Sequence, residues 1–252
     1  MVGYSMIAQD ELVGHWQRNW IKAPGHEDYD TAVHWLQSPG IYADIRIPAV
    51  RPELGKARAL CDLAAPSLGL LLAAEGFAGT IGVSNSVCEW DRTINWHGTP
   101  QGADIGHMAW DGAGRLIETG VHAEYVEQWR RRTGTPEGWL LECAGRRLYV
   151  LATQTCFIAA CGTPGAAASR ALVAHLATGG VDAAYLAEHF DGFYALGDWH
   201  GDAGRVTGAT SPFLEGLDLL SLSDLRLGQL TTTRPDFFGI PVVQRWTPIA
   251  TV

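Results

Sequence analysis

The sequence predicts an all-β, mainly antiparallel protein made of two tandem barrels, with a short helical insert in the C-terminal half. Three observations carry this. Most of the chain reads as short runs alternating apolar and polar residues, the period of a half-buried strand. Turn residues punctuate these runs every ~8–12 residues, the spacing of sandwiches and barrels. No regular strand–helix–strand alternation occurs, which argues against a Rossmann-type or TIM-type fold. About a dozen strands is more than a barrel of ~8 strands uses. The 252 residues suffice for two units of roughly 100–150 residues each. The division falls near residues 120–135 and is placed as 1–122 and 123–252.

Leu12 to Ile21 opens the series, with Trp16, Arg18 and Trp20 on one face and Gln17, Asn19 and Ile21 on the other. Ala32–Gln37 follows and closes at the turn Ser38-Pro39-Gly40. Ile41–Pro48 alternates most clearly: Ile41, Ala43, Ile45 and Ile47 share one face, Tyr42, Asp44 and Arg46 the other. A break spans Pro52–Pro66, and Leu68–Glu75 suits a short helical turn. Strands resume at Gly79–Val83, Ser86–Trp96, Asp104–Trp110, Arg115–Thr119 and His122–Arg132. Turn signals sit at Asp111-Gly112 and Thr119-Gly120. Trp139–Cys143, Arg147–Thr153 and Thr155–Ala160 form a meander turning at Ala144-Gly145 and near Gln154. The period then changes. Pro164–Thr178 is Ala-rich with Leu172, Val173 and Leu176 at helical spacing, and Gly179-Gly180 supplies a stop. Asp182 can cap a second helix over Ala183–Phe190, which completes the insert near 164–190. Strand-like pieces return at Gly192–Asp198, Arg205–Thr210, Gln229–Thr233 and Pro241–Pro248.

Composition narrows the function classes. The formal net charge is −9 and charged residues make up 18% of the chain, below the usual ~25%, so a folded core is expected rather than disorder. An acidic chain without a basic block suits neither nucleic acid nor an anionic membrane surface. The N-terminus has no basic start or apolar run of signal-peptide length. The longest apolar stretch, near Leu68–Ala74, falls far short of the ~20 residues of a membrane span. Five cysteines, an odd number without a C-x-x-C pair, point to reduced, mostly buried thiols and a cytoplasmic location.

The phosphate-cradling G-x-x-x-x-G-K-[ST] motif is absent, and Asp111-Gly112-Ala113-Gly114 is a turn. Gly82-Val83-Ser84-Asn85-Ser86 lacks the last Gly of a nucleophile elbow. The sets His97, Asp104, His107 and Asp198–Asp202 have loop-like spacing and are read as solvated or capping groups. No metal and no cofactor is expected.

What stands out is an aromatic and a charge two residues apart on one strand face. The sets are Trp16-x-Arg18-x-Trp20, Tyr42-x-Asp44-x-Arg46, Trp90-x-Arg92 and Tyr125-x-Glu127-x-Trp129, with Asp104 and Glu118 on intervening strands. Residues i and i+2 share a barrel wall, so each set faces inward or outward together. Two readings stay open. Arg18, Arg46 and Arg92 can pair with Asp44, Asp104, Glu118 and Glu127 as structural ion pairs, Trp rings stacked on guanidinium planes. Alternatively some of them line a ligand cavity walled by aromatics.

The run Leu12-Val-Gly-His-Trp16-Gln-Arg18 and the string Trp35-Leu-Gln37-x-x-x-x-Tyr42-x-Asp44-x-Arg46-x-Pro48 resemble a family of lipocalin-like, two-barrel Hri-type proteins of bacteria and fungi. Cys88-Glu-Trp90-Asp-Arg92-Thr-Ile-Asn-Trp96, Asp104-Ile-Gly106, Leu116-Ile-Glu118-Thr-Gly120 and Tyr125-Val-Glu127-Gln-Trp129 look like its later motifs. The likeness is good over 11–160 and weak beyond. It implies two lipocalin-like barrels in tandem and carries no settled activity.

Three functions therefore remain in view. The first is a barrel that binds a small molecule, with Trp16, Trp35, Tyr42, Trp90, Tyr125 and Trp129 as walls, Arg92 among the lining residues, and Arg46 or Arg18 gripping a carboxylate or phenolate. The second is a cofactor-free enzyme in the same cavity, of lyase, hydratase or isomerase type, acting on a small apolar or aromatic acid. There Asp44, Glu118 and Asp104 would move protons, Tyr42 and His34 would serve as neutral partners, and Arg46 would stabilise a developing anion. The third is a non-catalytic protein-interaction module. A homodimer is left open.

Overall fold

The computed structural model of the chain describes residues 6–167, 172, 176, 178 and 182–249. Its first half is a closed antiparallel barrel of β1 (Gly14–Ala23), β3 (Ala32–Gln37), β4 (Tyr42–Ile47), β5 (Glu75–Ser84), β6 (Val87–Asn95), β7 (Asp104–Trp110), β8 (Leu116–Gly120) and β9 (Val126–Arg132). These pair in chain order, and β9 returns to β1 to close the ring, with β2 (His26–Asp28) a short flap on β1. The closing strand, Val126–Arg132, lies C-terminal to residue 122 and pairs with β1. Tight turns match their residues. Asn85 and Ser86 take φ of 51° and 61° between β5 and β6, the left-handed pair that suits the twist of a two-residue hairpin.

The second half is a curled seven-stranded sheet in the order β15–β14–β13–β12–β11–β10–β18. Its strands are β10 (Glu137–Cys143), β11 (Arg146–Ala152), β12 (Cys156–Gly162), β13 (Phe193–His200), β14 (Ala203–Ala209), β15 (Asp218–Ser221) and β18 (Thr247–Pro248). Among the described residues its end strands, β15 and β18, do not pair with each other, so the second of the two expected barrels is a curled half-barrel. A separate hairpin joins β16 (Thr231–Pro235) to β17 (Pro241–Arg245). The α-helices described end to end are α1 (Ala65–Leu71), α2 (Ala183–Asp191) and α3 (Leu222–Leu227), with short 3-10 turns at Gln9–Leu12, Leu60–Asp62 and Pro212–Leu214. Asp182 caps α2 by accepting from Ala184 N at 2.9 Å, as its position predicted. Most of the helix expected over Pro164–Thr178 lies outside the described residues; Leu172 and Leu176 within it are buried.

Strand β4 explains how the halves join. Its Tyr42–Asp44–Arg46 face lines the barrel interior. Ile45 and Ala43 on its other face, with Ile41 just before it, pack with Tyr149, Leu151, Ile158 and Ala160 of β11 and β12. A strand apolar on one face and charged on the other is therefore covered on both, because the second sheet lies across the barrel wall.

One expected face changes. The register of β1 against β9 slips between Arg18 and Trp20, so that Arg18 opposes Trp129 and Trp20 opposes Gln128. This bulge turns Trp20 out of the set it was expected to share with Trp16 and Arg18, and Lys22 lies over its ring instead.

Candidate functional site

The sequence-selected residues converge on the barrel interior and nearly fill it. Trp16 stacks on Trp35 with centroids 6.0 Å apart, and Trp90 and Trp129 meet Trp35 edge-on at 5.9 and 5.8 Å. Tyr42 packs edge-on against Phe77. Trp16 Nε1 donates to the Leu12 carbonyl at 2.7 Å and Trp129 Nε1 to Glu118 at 3.1 Å.

The charges are arranged in partnerships. Arg18 donates to Glu127 at 2.7 Å and Asp28 at 2.5 Å. Arg46 donates to Asp44 at 2.9 Å and Glu127 at 3.3 Å. Arg92 grips Asp104 at 2.5 Å and lies 3.7 Å over the Phe77 ring. Burial pushes the Asp44 carboxyl up to about 6, and the adjacent Arg46 does not offset it. Glu118 stands directly across the sheet from Glu127. Burial first, and then the Glu127 charge, raise it to about 8, against the pull of the Tyr125 hydroxyl that donates to it at 2.7 Å. At neutral pH Glu118 is thus a neutral carboxyl among ion pairs. The space left between Trp35, Trp90, Trp129, Phe77, Asp44 and Glu118 is about 10 Å³, room for about one water.

His34 is not in this set. It lies on the outward face of β3, where its Nδ1 is 2.9 Å from His15 Nε2.

A larger hollow opens where the barrel meets the half-barrel. It has about 200 Å³ of space between the end of β6, the start of β11, the end of β12 and α2, with Trp96, Arg146, His189 and Tyr194 in its walls. The His189 ring lies 4.4 Å from that of Trp96, and Tyr194 meets Trp96 edge-on at 6.4 Å. Among the described residues, Trp96 Nε1, Arg146 Nε, His189 Nε2 and Tyr194 OH are all buried without a hydrogen-bond partner. Two of these atoms can only donate, and the other two can donate or accept. Leaving such a group unpaired costs about 1–3 kcal/mol, and four around one hollow is a concentration that packing alone does not require. Burial, then the nearby His97, lowers His189 to about 4, so its imidazole is neutral. Arg146 is anchored through its Nη1 to Asp191, which also takes Arg234 at 2.5 Å. Two guanidinium groups on one carboxylate leave a local positive charge, while the exposed Glu188 stands at the rim.

None of these four residues was among the candidate site residues, although Trp96 ends one of the family-like motifs. They come from separate segments, and what marks them is the absence of a partner, which only the assembled fold reveals.

Fold and cavities define a two-part antiparallel β protein: a closed eight-stranded barrel backed by an open half-barrel, with a polar-studded hollow at the junction. No protein-family model matches the chain, and no curated protein matches it. The chain is similar in structure to the uncharacterized protein YLR301w of Saccharomyces cerevisiae, with a TM-score of 0.56 at 10% identity over 93% of this chain and 97% of that one. At that identity the likeness concerns the fold. Among the described residues no helix is long and apolar enough to cross a membrane.

Proposed function

We propose that the protein binds a small aromatic or apolar acid in the junction hollow. The observation that carries this reading is the convergence of four unpartnered buried polar atoms on a cavity walled by aromatic rings. Concave, largely apolar sites with a few fixed polar groups are where small ligands bind. A carboxylate would accept from Arg146 Nε and from Trp96 Nε1 or Tyr194 OH, and the ring would lie against Trp96 and Tyr194. Neutral His189 can donate or accept, adding selectivity without adding charge. In this reading the lumen network of Asp44, Arg46, Glu118 and Asp104 supports the fold rather than turning over substrate, since its charges are paired and its free space is that of one water.

The test uses 2-naphthoate and its amide as probes. Quenching of intrinsic fluorescence should saturate with the acid and be at least tenfold weaker with the amide. Trp96→Phe should abolish most of the quench, and Arg146→Lys, which keeps the charge beside Asp191, should erase the preference for acid over amide. A panel of aromatic acids that gives no saturable signal would overturn the proposal, as would a signal unchanged in Trp96→Phe.

A further inference from the structure

A second cluster on the opposite side of the junction has no role in that reading. Cys156 begins β12, and its Sγ lies 3.5 Å from His15 Nδ1; His15 Nε2 in turn lies 2.9 Å from His34 Nδ1. The three groups come from β12, β1 and β3. When the thiol donates, one tautomer satisfies the whole chain: S–H to His15 Nδ1, then His15 Nε2–H to His34 Nδ1. This is the arrangement of an activated nucleophile: a thiol within reach of a base, and the base oriented by a third group. A cavity of about 150 Å³ adjoins it, with Leu196, Thr155, Thr133, Asp198 and Arg132 in its walls.

We propose that Cys156 is a reactive nucleophile that takes up small conjugated carbonyl compounds, with His15 as its base and His34 as the residue that positions His15. The reaction class follows from the surroundings of the sulfur. The backbone N–H groups of Thr155 and Cys156 both donate to Thr153 Oγ1, at 3.3 and 3.2 Å. Neither is free to stabilise an oxyanion on the carbon under attack, so acyl transfer lacks its main support. Conjugate addition places the developing negative charge on an oxygen several atoms from sulfur, where the Arg132 guanidinium lines the same cavity. In that step the Cys156 proton passes to His15 Nδ1, the sulfur bonds to the β-carbon, and the alkene π pair moves to give an enolate. His15 then returns the proton to the α-carbon. The sum is addition of S–H across the double bond, with no oxidant or reductant.

Burial, then His34 and Arg132, lowers His15 to about 3, and burial raises the Cys156 thiol. The resting pair is therefore thiol and neutral imidazole, and the proton moves during attack. The charged and titratable groups facing the pair are His34, Arg132 and Asp198, with Arg130 acting on His34. This gives a signature that exposure alone would not. A solvated free thiol reacts through its thiolate, so its rate climbs about tenfold per pH unit below ~8.5, and the exposed Cys61 serves as the comparison. Attack assisted by a neutral imidazole should change little between pH 6 and 8.

The experiment treats the folded protein with N-ethylmaleimide and follows each cysteine by peptide mass spectrometry across pH 6–8. Cys156 should be modified with a nearly flat profile while Cys61 shows the tenfold slope. His15→Gln should slow Cys156 measurably at pH 7, by less than the ~100-fold given by a base poised near the working pH, and leave Cys61 unaffected. His34→Gln should give an intermediate loss and restore a pH slope. Thermal melts of both variants show that they are folded. Cys156 left intact while Cys61 is fully modified would overturn the proposal. So would a Cys156 profile parallel to that of Cys61 and unchanged in His15→Gln.

Discussion

Replacing Glu118 by Gln tests the electrostatics of the barrel interior. The carboxyl is buried against Trp129 and Tyr125 and faces Glu127 across the β8–β9 ladder, and these surroundings raise it from 4.5 to about 8. A group whose pKa is higher in the folded state contributes stability that is complete below its unfolded value and is lost as pH rises through the folded value. The window here runs from pH 4.5 to 8. At about 1.4 kcal/mol for each pH unit, the wild-type protein should lose on the order of 4 kcal/mol through this group between pH 5 and pH 9. Gln is nearly isosteric with the protonated acid and repeats its hydrogen bonds: its carbonyl accepts from Trp129 Nε1, and its amide donates to a rotated Tyr125 hydroxyl. It does not titrate. Urea unfolding at pH 5, 7 and 9 should show the variant gaining on the wild type by about 4 kcal/mol across the series. In thermal melts this is about 10 °C at the alkaline end. Two stability curves that stay parallel within about 1 kcal/mol would refute a proton held on Glu118.

The opposite limb belongs to the histidines. His15, His34 and His189 are lowered to about 3, 4 and 4, chiefly by burial, so their contribution is present above pH 6.5 and lost as pH falls through those values. At roughly 3–5 kcal/mol each, their sum rivals a domain's whole stability of about 5–15 kcal/mol. Circular dichroism should find acid unfolding above pH 4. Arg46→Ala strips the partner from buried Asp44 and leaves Glu127 with Arg18 alone, and should cost about 3 kcal/mol in urea titration. A cost under 1 kcal/mol would show that these acids need no cation. Gly79→Ala would place a methyl 1.9 Å from the Asp91 backbone oxygen at the β5–β6 irregularity. Neither backbone can yield there without breaking ladder bonds, so the variant should lose at least 1–3 kcal/mol or fail to fold.

Much of the barrel was legible because a strand's period of two is written locally. Ala32–Gln37 and Asp104–Trp110 were read with the boundaries the structure gives them, and the Tyr42–Asp44–Arg46 face was read as one wall. The bulge at Arg18–Trp20 was not legible, since it depends on how β9 aligns against β1. Strand β15 was missed because Asp218–Ser221 has only four residues and no alternation. Helix α3 carried signals that were available: Ser221 accepts from Asp224 N, and Gly228 closes the helix with φ 66°. The openness of the second sheet is set by which strands meet at its ends, and no local pattern encodes that. The junction hollow was out of reach for the same reason. Arg146 fell between the turn at Ala144-Gly145 and the strand read from Arg147, and His189 in a helix's last turn, and neither position tells that a polar atom will be left unpaired.

The most direct test of the ligand site follows the indole N–H resonances of the protein in a ¹H–¹⁵N spectrum during titration with 2-naphthoate. The account requires the Trp96 resonance to shift saturably while those of Trp16, Trp35, Trp90 and Trp129 stay in place. Saturable shifts at the lumen tryptophans with Trp96 unmoved would put the ligand inside the barrel and contradict it.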